Sequence, residues 1–309
     1  MFYFIVNENS RSGKGADIWQ QLKAYLNKNN VEYIAYKTEG QGHASEIAAE
    51  ICNAAAADKM INLIAIGGDG TINETLNGIT DFDRVRFGVI PTGSGNDFAR
   101  GLHITGTPVE QMERILSAKG EDRMDLGRLT WKGGDKPRIF GVSAGAGLDA
   151  IVCKEIIDSK LKKVLNKLHL GKLTYIIMTI KTLFTMDTVD VDISFDGAAE
   201  RHYKKKIFVA GMNFITEGGG VPMTPDADAQ DGLLSFCMAY GIPKWRTFLV
   251  LPFLALGKHQ GFKGVKITNC RFSTFKMSKP VVLHTDGEYL GESDEVRFEC
   301  LPGILKVIK

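Results

Sequence analysis

The sequence has few cysteines, no apolar run of membrane length and almost no net charge. Its five cysteines are scattered, with no Cys-x-x-Cys pair among them, which argues against a disulfide framework and against a zinc site. The longest strongly apolar stretch, 248–256, contains Pro252 and is far shorter than the roughly 20 residues that a membrane span needs. The net charge is +2 over 309 residues, so we expect no nucleic-acid partner.

The beginning of the chain lacks the features of a signal peptide. Residues 1–6 include no basic segment, and Asn7 and Glu8 follow them directly. Because scattered free thiols suit a reducing compartment, we expect a cytoplasmic protein. Hydrophobic residues make up 44% and charged residues 24% of the sequence, as in soluble globular proteins, and at roughly 150 residues per domain the length favours two domains.

Strand-like and helix-like segments alternate in the first third of the chain. This alternation predicts a parallel sheet with crossover helices. The strand-like runs lie at 2–6, 31–36, 62–66 and 86–90, and the helical patterns at about 14–29, 43–57 and 71–79.

After about Gly127 the pattern changes to short β-rich runs separated by turn residues, which predicts an antiparallel sandwich or barrel. Two helical insertions are expected, at about 148–184 and 243–258. The β-rich runs lie at 138–143, 188–195, 205–213, 232–239, 264–283 and 294–300.

Two glycine-rich turns follow the last two strands of the first third. Gly67-Gly-Asp-Gly-Thr71 follows one strand, and a helix is expected to open at Thr71, since Thr71 and Glu74 have capping-box spacing. The second turn, 90–100, is rich in Gly, Ser, Thr and Asn. Free N–H groups at a helix start, beside glycines that admit a phosphate, form an anion site. We interpret both turns in this way, and ordinary strand-to-helix turns are the alternative.

Four further segments have less specific patterns. The Lys204–Lys206 run is interpreted as a solvated strand end. Residues 145–150 match a dinucleotide fingerprint in spacing but lie outside the strand–helix alternation, so a turn closing over a ligand is expected there. The acidic segment 226–232 fails as an EF-hand and leaves a small Mg²⁺ site or a plain acidic turn. Asp286-Gly-Glu288 suits metal binding or general-base catalysis, and equally a hairpin turn.

Three motifs, taken in order, resemble the diacylglycerol kinase catalytic family, and within it the soluble bacterial lipid kinases. They are Gly67–Thr71 with Asn73 and Glu74, then 91–100, then Asp286–Glu288. The resemblance covers essentially the whole chain. It implies an α/β N-terminal domain with a parallel sheet over 1–127, completed by about 301–309. It also implies a mainly antiparallel β-sandwich C-terminal domain over 128–300, with the active site between the two.

The resemblance also implies roles for individual residues. Glu288 would be the proton acceptor, with Asp286 beside it and Asp125 as an acidic residue at the domain junction. A Mg²⁺ site would involve Asp228, Asp231 and Leu233, with backbone carbonyls contributing. The family's ATP-binding residues correspond to Asn7, Thr38, Gly67, Gly68, Asp69, Gly70, Thr71, Ile72, Asn73 and Ser94.

The implied reaction is ATP- and Mg²⁺-dependent phosphorylation of a lipid hydroxyl, diacylglycerol to phosphatidate, at a membrane surface. The apolar segment 173–184 is a candidate for docking there, although a core helix is the favoured interpretation. The lysines expected to assist docking are Lys160, Lys162, Lys163 and Lys167.

The sequence departs from the family pattern at two positions. Glu8 stands where the family's first loop has proline, and Ile151 stands where sphingosine kinases carry an aspartate for the substrate amine. The alternatives are a kinase for a sphingoid base or another lipid, an NAD kinase, and a non-catalytic lipid- or nucleotide-binding regulator. A homodimer is an open alternative to a monomer.

Overall fold

The chain divides into two compact units. Unit 1 comprises Met1–Leu126 and Leu301–Lys309, and unit 2 comprises Gly127–Cys300. The computed structural model describes residues 1–56, 58–157 and 171–309. The four lysines predicted to assist membrane docking, and part of the helical insertion expected at 148–184, therefore lie outside the described residues.

Unit 1 contains a parallel sheet. Its strands are arranged in the order β2-β1-β3-β4-β16, and the last of them is contributed by the end of a long strand from the C-terminal part of the chain. The two central strands β3 and β4 are almost entirely buried, as expected for continuous apolar runs covered on both faces. The strands are β1 (Phe2–Val6), β2 (Tyr33–Lys37), β3 (Ile61–Gly67), β4 (Val85–Pro91) and β16 (Glu288–Val307).

Helices connect these strands, as the alternating pattern predicts. Thr107 and Glu110 form a capping box at the start of the fifth helix, with Pro108 in its first turn. Trp19, Leu22 and Leu26 of the first helix pack into the core formed with the sheet. The helices are α1 (Lys14–Lys28), α2 (His43–Ala54), α3 (Asp69–Gly78), α4 (Asp97–Gly101) and α5 (Pro108–Ser117).

The predicted capping box at the start of α3 is wrong. The helix begins at Asp69, two residues earlier than expected, with Gly68 as its N-cap. The side chain of Glu74 instead accepts a hydrogen bond from the backbone N of Ala44, at the start of α2 (3.3 Å). Glu74 therefore ties two neighbouring helices together, a long-range contact that sequence spacing does not reveal.

Unit 2 is a β-sandwich-like domain of antiparallel strands, which confirms the predicted fold class. Neighbouring strands follow the order β14-β13-β10-β7-β15-β16, while β15 also pairs with β8 and β8 with β9. The strands are β5 (Asp122–Trp131), β6 (Arg138–Phe140), β7 (Ser143–Gly147), β8 (Val189–Phe195), β9 (Arg201–Lys206), β10 (Phe208–Met212), β11 (Thr216–Glu217), β12 (Val221–Pro222), β13 (Leu234–Ala239), β14 (Val265–Cys270) and β15 (Phe272–Thr285).

Aromatic side chains form the centre of this domain. The rings of Phe236, Phe275 and Phe298 are fully buried, with centroids 5.3–5.8 Å apart, a spacing at which aromatic pairs attract. The helices of unit 2 are α6 (Leu148–Ile157), α7 (Gly171–Thr185) and α8 (Lys244–Ala255). No helix in the described part of the chain is both long and apolar enough to cross a membrane.

Two interpretations of short motifs in unit 2 are wrong. Gly145 and Gly147 do not lie in a loop but in β7, which is buried throughout and leads directly into α6. Lys206 is not solvated, because only 2% of it is exposed. The backbone of Lys205 is left-handed (φ 53°), and this local irregularity lies between the exposed Lys204 and the buried Lys206.

Candidate active site

The two glycine loops of unit 1 meet at the carboxyl ends of β3 and β4. Thr92 N donates a hydrogen bond to Gly67 O (2.8 Å). A Cβ atom at Gly93 would lie 2.7 Å from the Cα of Gly68, and a Cβ at Gly68 would lie 3.2 Å from the Cα of Gly93. The loops therefore touch backbone to backbone, and Gly93 has to be glycine for this approach.

The loop that follows β1 is joined to the same edge of the sheet by side-chain hydrogen bonds. Asn7 Nδ2 donates to Thr71 Oγ1 (2.9 Å), and the hydroxyl oxygens of Ser10 and Thr92 lie 2.6 Å apart. Thr38 follows the neighbouring strand, where its N donates to Val6 O (2.9 Å). Hydrogen bonds thus connect the predicted ATP-binding residues Asn7 and Thr71.

Glu8, which replaces the family's proline, has a defined position. Its carboxylate forms an ion pair with Lys37 of β2 (2.9 Å), and its carbonyl accepts a hydrogen bond from Ala16 N (3.1 Å). Gly15 lies against the same loop, since a Cβ there would be 2.3 Å from Asn7 O. The departure from the family pattern therefore leaves a loop that is tied to both β2 and α1.

The start of α3 has the properties of an anion site. Gly68 caps the helix without a side-chain hydrogen bond, so the N-cap residue itself does not occupy the first N–H groups. Asp69 Oδ1 accepts from Phe98 N (3.1 Å), which links this turn to the start of α4. The other predicted members of the site lie in the first turn or on the adjoining loop: Gly70, Ile72, Asn73 and Ser94.

Asp125 of β5 is buried, with 1% of its surface exposed. Its Oδ1 accepts a hydrogen bond from Gly303 N (2.6 Å), and the neighbouring Arg123 donates to Gly303 O (3.0 Å). These bonds hold the returning C-terminal segment on unit 1. The carboxylate therefore has a structural task there, and its catalytic role stays a prediction.

In unit 2, Asp286 and Gly287 form the two-residue turn between β15 and β16. Their φ angles are 48° and 85°, and Thr285 pairs with Glu288 across the turn, which is the geometry of a type I′ hairpin. The hairpin interpretation of this motif is thus confirmed. The turn places Glu288 at the first position of β16, half-buried.

Three backbone N–H groups converge on the carboxylate of Asp286. Gly141 N donates to Oδ2 (2.9 Å), while Val142 N and Ser143 N donate to Oδ1 (2.8 and 3.0 Å). Asn213 Nδ2 donates to Gly141 O (3.0 Å) and holds the same segment from the other side. Asp286 therefore anchors the turn that carries Glu288, a positioning role that the sequence did not indicate.

A buried polar cluster lies beside this turn, and sequence reasoning missed it. Gly287 N donates to His284 Nδ1 (3.3 Å), so in the neutral ring the proton lies on Nε2, which is 3.1 Å from Asp149 Oδ2. Gly145 makes this contact possible, since a Cβ there would lie 1.8 Å from Asp149 Oδ2. The one signal of this cluster in the sequence is Gly145, which stands four residues before Asp149 in an otherwise apolar segment.

Burial changes the acid–base behaviour of this cluster. Burial lowers the pKa of His284, but the hydrogen bond and charge of Asp149 outweigh that effect, so the pKa lies above its ordinary value. Burial lowers the pKa of Lys206 to about 8, against a smaller opposing effect of Asp149. The ammonium group of Lys206 donates to Ala146 O (3.1 Å).

The predicted Mg²⁺ site lies in an exposed turn of unit 2. Asp228 Oδ1 accepts from Gln230 N (3.0 Å) and Asp231 Oδ1 from Leu233 N (2.8 Å). Two carboxylates and a carbonyl are the hard oxygen ligands that Mg²⁺ prefers, and Mg²⁺ retains several waters at such sites. Among the described residues, no three His, Cys, Asp or Glu side chains are grouped to hold a metal ion, so this site stays a prediction.

Comparison with known proteins agrees with this arrangement of loops and strands. Residues 1–129 match the family model of the diacylglycerol kinase catalytic domain. Residues 142–309, more than half of the chain, match that of the YegS C-terminal NAD kinase beta sandwich-like domain. The chain belongs to the diacylglycerol kinase-like family of lipid kinases. The family resemblance that the motifs indicated is confirmed.

Curated relatives match nearly the full length of the chain. YtlR of Bacillus subtilis strain 168, a lipid kinase by name, is 28% identical over 308 residues, which cover 99% of this chain and 98% of that protein. The diacylglycerol kinase of Staphylococcus aureus strain JH9 is 28% identical over 268 residues, 86% of this chain and 79% of that protein. A crystal structure of a diacylglycerol kinase from Bacillus anthracis strain Sterne has the same fold, with a TM-score of 0.72 at 21% identity, over 99% of this chain and 96% of that one.

Proposed function

We propose that this kinase transfers the γ-phosphoryl group of ATP to the hydroxyl of a membrane lipid, with diacylglycerol as the substrate and phosphatidate as the product. The observation that carries the proposal is the backbone contact between Gly68 and Gly93. It brings a second glycine loop against Gly68, the N-cap of α3, where the absence of a side chain suits the close approach of a polyphosphate.

The chemistry requires one bond to form and one to break. The lipid hydroxyl oxygen bonds to the γ-phosphorus, the bond from that phosphorus to the bridging oxygen breaks, and ADP leaves. Glu288 accepts the hydroxyl proton, held in place by the turn that Asp286 anchors. Phosphoryl transfer depends chiefly on positioning and on neutralisation of charge, so the loops of unit 1 contribute by fixing the phosphates.

Mg²⁺ supplies positive charge for the phosphates when it is bound with ATP. Asp69 is the residue of the glycine loops that would face it, and Asp125 is the second carboxylate proposed for this task. A separate structural Mg²⁺ would be held by Asp228, Asp231 and the backbone at Leu233.

The choice of diacylglycerol over a sphingoid base rests on the start of α6. A sphingoid base carries an ammonium group, which needs a carboxylate partner. Ile151 offers none, and the nearby carboxylate of Asp149 faces the buried ring of His284, to which its Oδ2 is hydrogen-bonded. We therefore expect poor turnover of sphingosine.

The test uses the purified full-length protein with γ-³²P-labelled ATP and Mg²⁺. Diacylglycerol and sphingosine are supplied separately in mixed micelles, NAD is supplied in solution, and a mixed lipid extract serves as an unbiased substrate. We expect labelled phosphatidate as the main product, and its loss in Glu288→Gln. Equal turnover of sphingosine would contradict the argument from Ile151. Rapid labelling of NAD, with no lipid product, would make the protein an NAD kinase, and no product at all would favour a non-catalytic regulator.

A further inference from the structure

Helix α8 exposes a row of large apolar side chains. Trp245 and Leu249 are each 55% exposed and Leu256 is 68% exposed, and Phe248 and Phe253 are also exposed. Trp245, Leu249, Phe253 and Leu256 follow one another at intervals of three or four positions, and Phe248 comes three positions after Trp245, so all five share one side of the helix. We call them the apolar face of α8.

The opposite side of the same helix packs against the rest of unit 2. Thr247 is 4% exposed, and Leu251 and Leu254 pack against the hydrophobic core that contains Met212 and Cys237. The helix is thus already fixed to unit 2 by one side. Its exposed apolar side is therefore not needed to hold the helix in place. Large exposed apolar patches on soluble proteins usually mark a contact site.

The apolar face continues onto helix α7. Phe184 is 50% exposed, and its ring centroid lies 6.1 Å from that of Phe248. Lys244 donates hydrogen bonds from its ammonium group to the carbonyls of Phe184 and Met186, which join the end of α7 to the start of α8. Two helices thus contribute to one exposed surface.

The sequence that contains α8 carries charge of one sign, and Asp187, beside Lys244, is the acidic residue contributed from the end of α7. Residues 232–285 include eight Lys or Arg and no Asp or Glu. Arg246 lies over the ring of Trp245, with its guanidinium carbon 5.3 Å from the ring centroid, and Lys258 and Lys263 are exposed just beyond the helix. An apolar stripe with Trp, Phe and Leu, bordered by cationic side chains, is the pattern of a helix that lies in the interface of an anionic membrane.

We infer that the apolar face of α8 docks on the surface of an anionic lipid bilayer, with its aromatic and leucine side chains inserted at the level of the headgroups. A second copy of the chain is a less suitable occupant, because the same positive charge would face itself. The inference deepens the proposed function, on which it rests, by naming the surface through which the kinase reaches a membrane-embedded substrate.

Binding is measured without ATP, by co-sedimentation of the full-length protein with vesicles. Vesicles of phosphatidylcholine with about 30% phosphatidylglycerol are compared with vesicles of phosphatidylcholine alone, because the anionic headgroups give the surface the negative potential that attracts basic side chains. We expect binding to the anionic vesicles that weakens with added salt. Leu249→Glu and Leu256→Glu should each weaken it about tenfold or more, since a buried leucine contributes more than one decade of affinity.

The matched controls are Ile34→Glu and Met60→Glu, which place the same charge on exposed apolar residues of unit 1. Leu249→Asn removes the apolar side chain without adding charge and should also weaken binding. Trp245 fluorescence should be quenched by brominated lipid, and Trp245→Phe should lose that quenching. Unchanged binding by the Leu249 and Leu256 variants overturns the inference. A concentration-dependent dimer that Leu249→Glu abolishes would overturn it too, because the face would then bind a second copy.

A water-soluble short-chain diacylglycerol separates this inference from the proposed function. The Leu249 and Leu256 variants should phosphorylate it at the wild-type rate while failing to bind vesicles. If the wild-type protein binds vesicles through this face but phosphorylates neither form of diacylglycerol, docking stands and the proposed function fails. If it phosphorylates the soluble substrate but does not bind anionic vesicles, docking fails.

Discussion

Asp286 and Ser143 are joined by two hydrogen bonds: Asp286 N donates to Ser143 O (2.8 Å), and Ser143 N donates to Asp286 Oδ1 (3.0 Å). With the N–H groups of Gly141 and Val142 on the same carboxylate, the turn is fastened to the start of β7 and to the two residues before it. Asp286 and Glu288 are therefore neighbours with different tasks, and mutations should separate them.

Glu288→Gln should reduce turnover without weakening the fold. A positioned general base contributes about 10²–10⁴-fold in rate, while the glutamine keeps the size of the side chain, so the midpoint of urea unfolding should hardly change. ATP affinity should also change little. Turnover is measured at saturating lipid and Mg²⁺. Near-wild-type turnover would exclude Glu288 as the base and leave Asp286 or Asp125.

Asp286→Asn should weaken both the fold and the activity. In asparagine an NH₂ donor replaces one of the two carboxylate oxygens, and it would face backbone N–H groups that are donors too. An unsatisfied buried donor lowers the free energy of unfolding by about 1–3 kcal/mol. Urea unfolding reports this loss, and the turnover assay reports the misplaced Glu288. Asp135→Asn, at an exposed aspartate of unit 2, serves as the control. A fully stable Asp286→Asn protein would contradict the anchoring role.

Gly287→Val should destabilise unit 2 through the backbone alone. Gly287 has a φ of 85°, and no atom lies within 4 Å of the position that a Cβ would occupy, so the cost is the left-handed conformation, about 1–2 kcal/mol. Gly287→Asn should recover most of the loss, because asparagine tolerates this region. Gly120→Val is the control, at an exposed glycine without a positive φ. Equal unfolding midpoints for the Val and Asn variants would contradict the argument.

Gly68→Val should abolish nucleotide binding in a protein that still folds. The side chain would press against Gly93 and separate the two loops that form the predicted phosphate site. Calorimetry with a magnesium–ATP analogue measures affinity, and circular dichroism checks the fold. Gly120→Ala, where nothing lies within 4 Å of a Cβ, should bind like wild type. Normal affinity in a folded Gly68→Val protein would remove this loop from the site.

Lys206→Met should stabilise the protein at neutral pH. The pKa of Lys206 falls from 10.5 to about 8 on folding, so keeping the amine charged in the folded state costs about 3 kcal/mol, less the value of its hydrogen bond. Below pH 8 the folded and the unfolded protein both hold the proton on Lys206, so the full cost in folding free energy applies. Between pH 8 and 10.5 only the unfolded state keeps it, so the cost declines as pH rises.

The measurement for Lys206 is urea unfolding of wild type and Lys206→Met at pH 7 and pH 9.5. The difference in unfolding free energy should be smaller at the higher pH. Lys204→Met, at an exposed neighbour, should show neither the stabilisation nor its pH dependence. A difference that stays constant with pH would show that the amine does not lose its proton in this range.

The sequence indicated the fold well because its signals are local. Alternating apolar runs specify β1 to β4, and glycine clusters mark the turns after β3 and β4. What escaped prediction depends on contacts between distant residues, such as Glu74 with Ala44 and His284 with Asp149. Lys206 is the clearest case: three consecutive lysines look alike in sequence, and only the contacts of the last one with Ala146 of β7 and Met277 of β15 distinguish it.

The strand β16 has a consequence for how the protein is made. It begins at the Glu288 turn and ends beside β4, where Lys306 and Val307 pair with Arg86 and Phe87. During synthesis, β4 therefore has an open edge until residues 301–309 have left the ribosome. Unpaired edges of this kind attract other chains, so the newly made N-terminal half should depend on chaperones until the returning segment arrives.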